Sequence, residues 1–310
     1  MKLFAGSSNL NLANEIADHV GTPLGKVTID KFSDGELSVA FEENIRNEDV
    51  FIIQSTNPPN DNIWELLLML DAAKRASARQ VIAVIPYFGY GRQDRKDRPR
   101  VPITARLKLD LITFAGVDRI VTMDLHSPQI QGFVNIPFDH LYSSIALVDF
   151  IKKFNFEHDS CVVLAPDAGS VTLSRAYAKR LKVGFAMIDK RRPKPNQTEV
   201  VNLIGDLENK HVIIIDDMID TAGTICNAAA TANQKGAKEV IVIATHPVLS
   251  GPAIRRLENS LIKKIFLCNT IEVNKEKMID KIELISIAHV FGEAIKRIVD
   301  GRSLSSMFNF

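Results

Sequence analysis

Short continuous apolar runs alternate along this chain with stretches whose apolar residues recur every three or four positions. The runs at 2–5, 49–53, 81–88, 119–123, 161–165, 185–188, 211–215 and 240–247 read as strands, several apolar enough to be buried on both faces. Helical spacing fills 62–76, 145–154, the residues after 170, 225–236 and 289–299. Strands at 26–32 and 37–41 flank an Asp-Gly turn. Strands alternating with helices predict an α/β protein whose sheets are mainly parallel and flanked by helices.

A weak internal repeat is present. DVFIIQST (49–56) leads through a helix to VIAVIPYF (81–88), and KHVIIIDD (210–217) leads through a helix to VIVIATHP (240–247). Each unit is a βαβ. βαβ units look alike wherever they occur, but the repeat fits two similar domains, expected at 1–143 and 144–310. Only the second copy carries acids and TAGT.

HVIIIDDMIDTAGT (211–224) is the most informative segment. A buried strand ends in Asp216 and Asp217, with Asp220 close behind. Thr221-Ala222-Gly223-Thr224 then opens a helix. A helix N-terminus presents unpaired N–H groups and a positive dipole end, which suits a phosphate. The acids beside it need hydroxyls or a metal ion instead. Acids and phosphate loop together point to a sugar phosphate; the plain alternative is a strand–helix turn with solvated acids.

Other strand ends carry further chemistry. PYFGYGRQDRKDRPRVP (86–102) is rich in arginine, which matches phosphate oxygens with paired donors, although a solvated loop with internal ion pairs has the same composition. Asp124-Leu125-His126 follows the strand at 119–123; by itself His126 reads more readily as a hydrogen-bonded structural residue than as a metal ligand. Asp167 follows 161–165 and is equally an N-cap for the next helix. Asp189-Lys190-Arg191-Arg192-Pro193-Lys194-Pro195 concentrates cations on a segment whose prolines forbid a helix or central strand, so a mobile loop ordered by an anion is expected. Phe32-Ser33-Asp34-Gly35-Glu36 reads first as a hairpin turn, and secondly as an aromatic and acids for a nucleobase.

Formal net charge is +1, from 38 basic and 37 acidic residues, which gives no support to general nucleic-acid or membrane-surface binding. With 46% hydrophobic residues, both halves can bury a core. The 3 cysteines form no CxxC pair, and no apolar run reaches transmembrane length. The chain enters a strand at residue 2, so neither a signal nor a transit peptide is expected, and a reduced, cytoplasmic protein is.

FSDGE, IPYFGYGRQDRK, PITA, DLHSPQIQGF, PDAG, DKRRP, DDMIDTAGT and ATHPVLSGP occur in the order found in the phosphate-dependent ribose-phosphate pyrophosphokinases, or phosphoribosyl pyrophosphate synthetases, which the chain resembles from Lys2 to Phe308. DDMIDTAGT alone implies only the wider phosphoribosyltransferase-like superfamily; RQDRK, DLH and DKRRP are more specific. The resemblance implies two similar phosphoribosyltransferase-like domains, the first on the ATP side and the second on the ribose 5-phosphate side. It implies that Phe32, Asp34, Gly35, Glu36, Arg92 and Gln93 bind ATP, the first four from a neighbouring subunit. His126 and Asp167 would place Mg²⁺. Asp216, Asp220, Thr221, Ala222, Gly223, Thr224 and Arg192 would bind ribose 5-phosphate, and Lys190 and Arg192 would act in the transition state. Arg46, Ser303, Ser305 and Phe308 would belong to a regulatory site for phosphate and ADP in a homohexamer. Ser170 and Leu173 depart from the family pattern PDxGGVxRAR, while Arg175 is kept.

The reaction implied is transfer of pyrophosphate from MgATP to the 1-hydroxyl of ribose 5-phosphate, giving phosphoribosyl pyrophosphate and AMP. A phosphoribosyltransferase would account for DDMIDTAGT but not for RQDRK, DLH and FSDGE. A non-catalytic regulatory partner would keep the fold but disrupt the catalytic segments, and DKRRP and DLH are intact here.

Overall fold

The computed structural model describes residues 1–154, 156, 158–191 and 200–308. The chain divides into two compact units, one of Met1–Ser143, Thr270–Glu272 and Ser286–Phe310, the other of Ser144–Asn269 and Val273–Ile285.

The first unit runs β1 (Lys2–Ala5), α1 (Leu10–Val20), β2 (Val27–Lys31), β3 (Leu37–Phe41), β4 (Asp49–Ile53), α2 (Asp61–Arg75), β5 (Gln80–Ile85), α3 (Thr104–Phe114), β6 (Arg119–Met123) and β7 (Phe138–Leu141). Its sheet has the order β1-β4-β5-β6-β7, all parallel. Val81 to Ile85 and Val50 to Ile53 are all buried, as continuous apolar strands covered on both faces should be. β2 and β3 form a separate antiparallel ribbon, anchored where Phe41 meets Phe4 edge to face at 4.6 Å.

The second unit begins with α4 (Ser144–Lys152) and then runs β8 (Cys161–Ala165), α5 (Val171–Leu181), β9 (Gly184–Arg191), β10 (Val200–Ile204), β11 (His211–Ile219), α6 (Gly223–Gln234), β12 (Glu239–Pro247), α7 (Ala253–Glu258), β13 (Lys264–Cys268) and β14 (Ile282–Ile285). Its sheet has the order β10-β9-β8-β11-β12-β13-β14, and only the β9–β10 pair at the edge is antiparallel. From β8 onward the strands and helices follow one another as they do from β1. The run β8-β11-β12-β13-β14 repeats β1-β4-β5-β6-β7, and β9–β10 takes the place of β2–β3 in chain order, although β9 pairs with β8 while β2–β3 stays a separate ribbon. The repeat seen at 49–88 and 210–247 is thus one part of a longer correspondence.

Two expectations need correction. A single cut at 143/144 does not describe the units, because the C-terminal segment Ser286–Phe310 clusters with the first. The cause is α8 (Ala288–Val299), whose buried side chains include Val290, Phe291, Ala294 and Ile295 and which packs on α1. The helices approach so closely that a Cβ on Gly292 would lie 2.5 Å from the His19 ring. Secondly, β9 does not end at Ile188. It continues to Arg191 because β10 pairs with it antiparallel, Lys190 opposite Val201. The prolines expected to break this segment, Pro193 and Pro195, lie outside the described residues, as does Arg192. Among the described residues no helix is long and apolar enough to cross a membrane.

Candidate active site

In the second unit the acids collect where parallel strands end. β11 pairs with β8 only as far as Ile214, opposite Leu164, but stays paired with β12 through Ile219, opposite Pro247. Asp216 and Asp217 therefore extend past the last pair with β8, and Asp167 follows the end of that neighbouring strand. The strand is longer than its apolar run, so the acids belong to it and the loop shrinks to Asp220–Ala222 before α6. Burial first, and then the charges of Asp217 and Asp167, push the Asp216 carboxyl up to about 8. Carboxylates crowded in this way repel one another, and a divalent cation relieves that repulsion.

Asp167 is held by the first residues of its own turn. Its Oδ1 accepts the N–H groups of Gly169 at 3.0 Å and Ser170 at 3.2 Å, and the Ser170 hydroxyl lies 3.2 Å from the same oxygen. Ser170, where the family pattern has glycine, is thus a buried donor to the acid.

The loop before α6 is braced from the segment that follows β12. Ser250 donates its N–H to the Asp220 carbonyl at 3.0 Å and its hydroxyl to the Asp220 carboxylate. Arg256 Nη1 donates to the Thr221 carbonyl at 2.9 Å. Ala222, at the N-cap of α6, is left-handed with φ 62°. That conformation costs a non-glycine residue about 1–2 kcal/mol, the kind of strain a binding loop stores. Ser250 and Arg256 are the residues sequence reasoning passed over. ATHPVLSGP gives its serine no role by pattern alone, and Arg256, next to Arg255 on α7, lies outside every segment that suggests chemistry.

The comparisons with known proteins bear on the whole chain. The protein named ribose-phosphate pyrophosphokinase in Chlorobaculum tepidum is 54% identical over 309 residues, covering 100% of this chain and 95% of that protein. This chain belongs to the ribose-phosphate pyrophosphokinase family. The protein of the same name in Clostridium tetani is 53% identical, covering 100% of this chain and 97% of its own length. Residues 1–116 match the N-terminal domain of ribose phosphate pyrophosphokinase, and residues 190–309 match the phosphoribosyl synthetase-associated domain. The crystal structure of phosphoribosylpyrophosphate synthetase from Mycobacterium smegmatis superposes with a TM-score of 0.91 at 37% identity, covering 97% of this chain and 99% of that one.

In this ribose-phosphate pyrophosphokinase-family chain the first unit carries the remaining candidates. Phe32 is 60% exposed at the tip of the β2–β3 ribbon. Its N–H donates to the Glu36 carbonyl at 2.8 Å, its carbonyl accepts from Gly35, and Asp34 Oδ1 accepts the Glu36 N–H at 3.0 Å. The hairpin turn read from local chemistry is therefore present, with an exposed aromatic ring at its start. Arg92 and Gln93 follow β5 and are both exposed. The Gln93 carbonyl accepts the Ala105 N–H at 3.2 Å, and its side-chain oxygen accepts from the Thr104 hydroxyl. His126 follows β6 and is exposed, beside Asp124, whose carboxylate accepts the Ser143 N–H at 3.2 Å.

At the chain end, Arg297 donates to the Ser303 carbonyl at 2.9 Å and to the Ser306 hydroxyl. Phe308 is buried, edge to face with Tyr142 at 5.4 Å. Ser303 and Ser305 are exposed, as is Arg46, whose guanidinium lies 3.4 Å from the Ser77 hydroxyl. Among the described residues no three His, Cys, Asp or Glu side chains are grouped to hold a metal ion by themselves.

Proposed function

We propose that this chain transfers the pyrophosphoryl group of MgATP to the 1-hydroxyl of ribose 5-phosphate, giving phosphoribosyl pyrophosphate and AMP. The observation that carries this reading is the end of β11, where Asp216 and Asp220 adjoin a strained loop at the N-terminus of α6. The loop N–H groups take the 5-phosphate, and Asp216 and Asp220 take ribose hydroxyls. The 1-hydroxyl oxygen attacks the β-phosphorus, and the bond to the α,β-bridging oxygen breaks, so AMP leaves with that oxygen. Such a step needs alignment and charge stabilisation more than covalent help.

Phe32, Asp34, Gly35 and Glu36 receive adenine, and Arg92 and Gln93 hold the phosphates. Asp167 and His126 would hold Mg²⁺, whose fit is supported by the crowding of the Asp217 and Asp167 carboxylates on Asp216. The ion neutralises phosphate charge when bound. Lys190 and Arg192 act on the transferring group. Mixing the purified chain with MgATP and ribose 5-phosphate tests the reading: AMP is the expected nucleotide product, and ADP would contradict it.

The chain works as a homo-oligomer, a hexamer in this reading, in the cytoplasm. Leu107, Leu111 and Phe114 support assembly: they recur along α3 and are 55%, 45% and 93% exposed, an apolar stripe for a second copy to cover. Inorganic phosphate activates and ADP inhibits through Arg46, Ser303 and Ser305, the tail being held by Phe308. A Ser303→Ala/Ser305→Ala variant should still sediment as a hexamer and keep its basal rate, but lose much of both responses. Purely competitive ADP inhibition in the parent protein, without phosphate activation, would remove the regulatory site.

A further inference from the structure

Lys108 stands on α3 among Ala105, Leu109 and Ile112, all buried, and is itself only 3% exposed. Its Nζ donates to the Thr56 hydroxyl and, at 2.9 Å, to the Gly89 carbonyl, and lies 3.6 Å from the centre of the Phe88 ring. No carboxylate among the described residues pairs with it. Burial holds its amine well below the usual lysine range. A buried amine without an acidic partner costs folding free energy that a methionine of similar length would not. Core packing therefore gives no reason for a lysine here.

Its partners do. Thr56 follows β4, and its hydroxyl also accepts the Gly89 N–H at 3.0 Å and donates to the Tyr87 carbonyl at 3.1 Å. The Thr56 N–H donates to that carbonyl at 2.9 Å. A Cβ on Gly89 would stand 2.1 Å from the Thr56 carbonyl oxygen, so only glycine permits the approach. Arg92 and Gln93 lie a few residues on, and Gln93 is held by Thr104 and Ala105 in the first turn of α3. One helix thus grips the arginine-rich loop twice, through Lys108 at its root and through its own first turn at Gln93.

We propose that Lys108 is a positioning residue for nucleotide binding: by holding Gly89 and Thr56 together, it sets the root of the loop that presents Arg92 and Gln93 to ATP. This rests on the reading of Arg92 and Gln93 as ATP-binding residues. A residue that acts only by packing affects stability, whereas a residue that orients this loop separates ATP binding from stability and from sugar binding.

The test uses the full chain. Lys108→Met should melt at or above the parent temperature, raise KM for ATP about tenfold or more, and leave KM for ribose 5-phosphate unchanged. Amide hydrogen exchange at 87–93 should quicken. Should that variant fail to fold, Thr56→Val, which removes the shared hydroxyl, should give the same split. Arg92→Ala is measured in parallel. If it weakens ATP while Lys108→Met changes neither KM for ATP nor exchange, the proposal is overturned and the ATP reading stands. If Arg92→Ala itself leaves KM for ATP unchanged, the ATP reading falls and takes the proposal with it.

Discussion

Lys190→Ala is expected to lower kcat by about 10²-fold or more while changing KM for ATP and ribose 5-phosphate little. β9 pairs with β8 in parallel as far as Met187, opposite Ala165, and then runs on through Arg191 with only β10 beside it. The ribbon therefore extends past the same strand ends that carry Asp167 and Asp216, with Lys190 on the extension. In the proposed reaction, a cation there would meet the charge that develops on the transferring group. Its loss removes an interaction made mainly in the transition state, which appears in kcat. Steady-state kinetics with each substrate varied in turn checks this. A variant with near-normal kcat and only a raised KM would remove Lys190 from the transition state.

Asp220→Ala should raise KM for ribose 5-phosphate about 10- to 100-fold and leave KM for ATP near the parent value, the loss expected for hydrogen bonds to a charged group. The backbone of its loop keeps its supports in this variant, because Ser250 still donates its N–H to the residue 220 carbonyl and Arg256 still holds the Thr221 carbonyl. The effect thus reports the carboxylate and not a collapsed loop. Titration that finds ATP weakened and ribose 5-phosphate bound normally would mean the two substrates have been assigned to the wrong halves.

The strands were legible wherever they are buried on both faces, since β4, β5, β8 and β11 appear as unbroken apolar runs. Their polar ends were not. Asp216, Asp217 and Lys190 look like loop residues by composition, and only pairing with β12 and β10 keeps them in strands. The helix at the C-terminus declares which face it buries but not against what, so the sequence alone gives no sign that α8 clusters with the first unit. Lys108 did leave a signal: it occupies a core position in the helical period of 105, 108, 109 and 112. Ser250 and Arg256 left none, because their contacts are to a loop some thirty residues away in sequence, with separations of 30 and 35 positions.

Pyrophosphoryl transfer is tested most directly by following phosphorus-32 placed at the β-phosphate of ATP, with the purified full chain, Mg²⁺ and ribose 5-phosphate. Attack at the β-phosphorus predicts that the label moves to phosphoribosyl pyrophosphate, one unlabelled AMP appearing for each product molecule. Label retained in ADP would mean that only the γ-phosphoryl group moves, and would contradict the assignment of this chain's reaction.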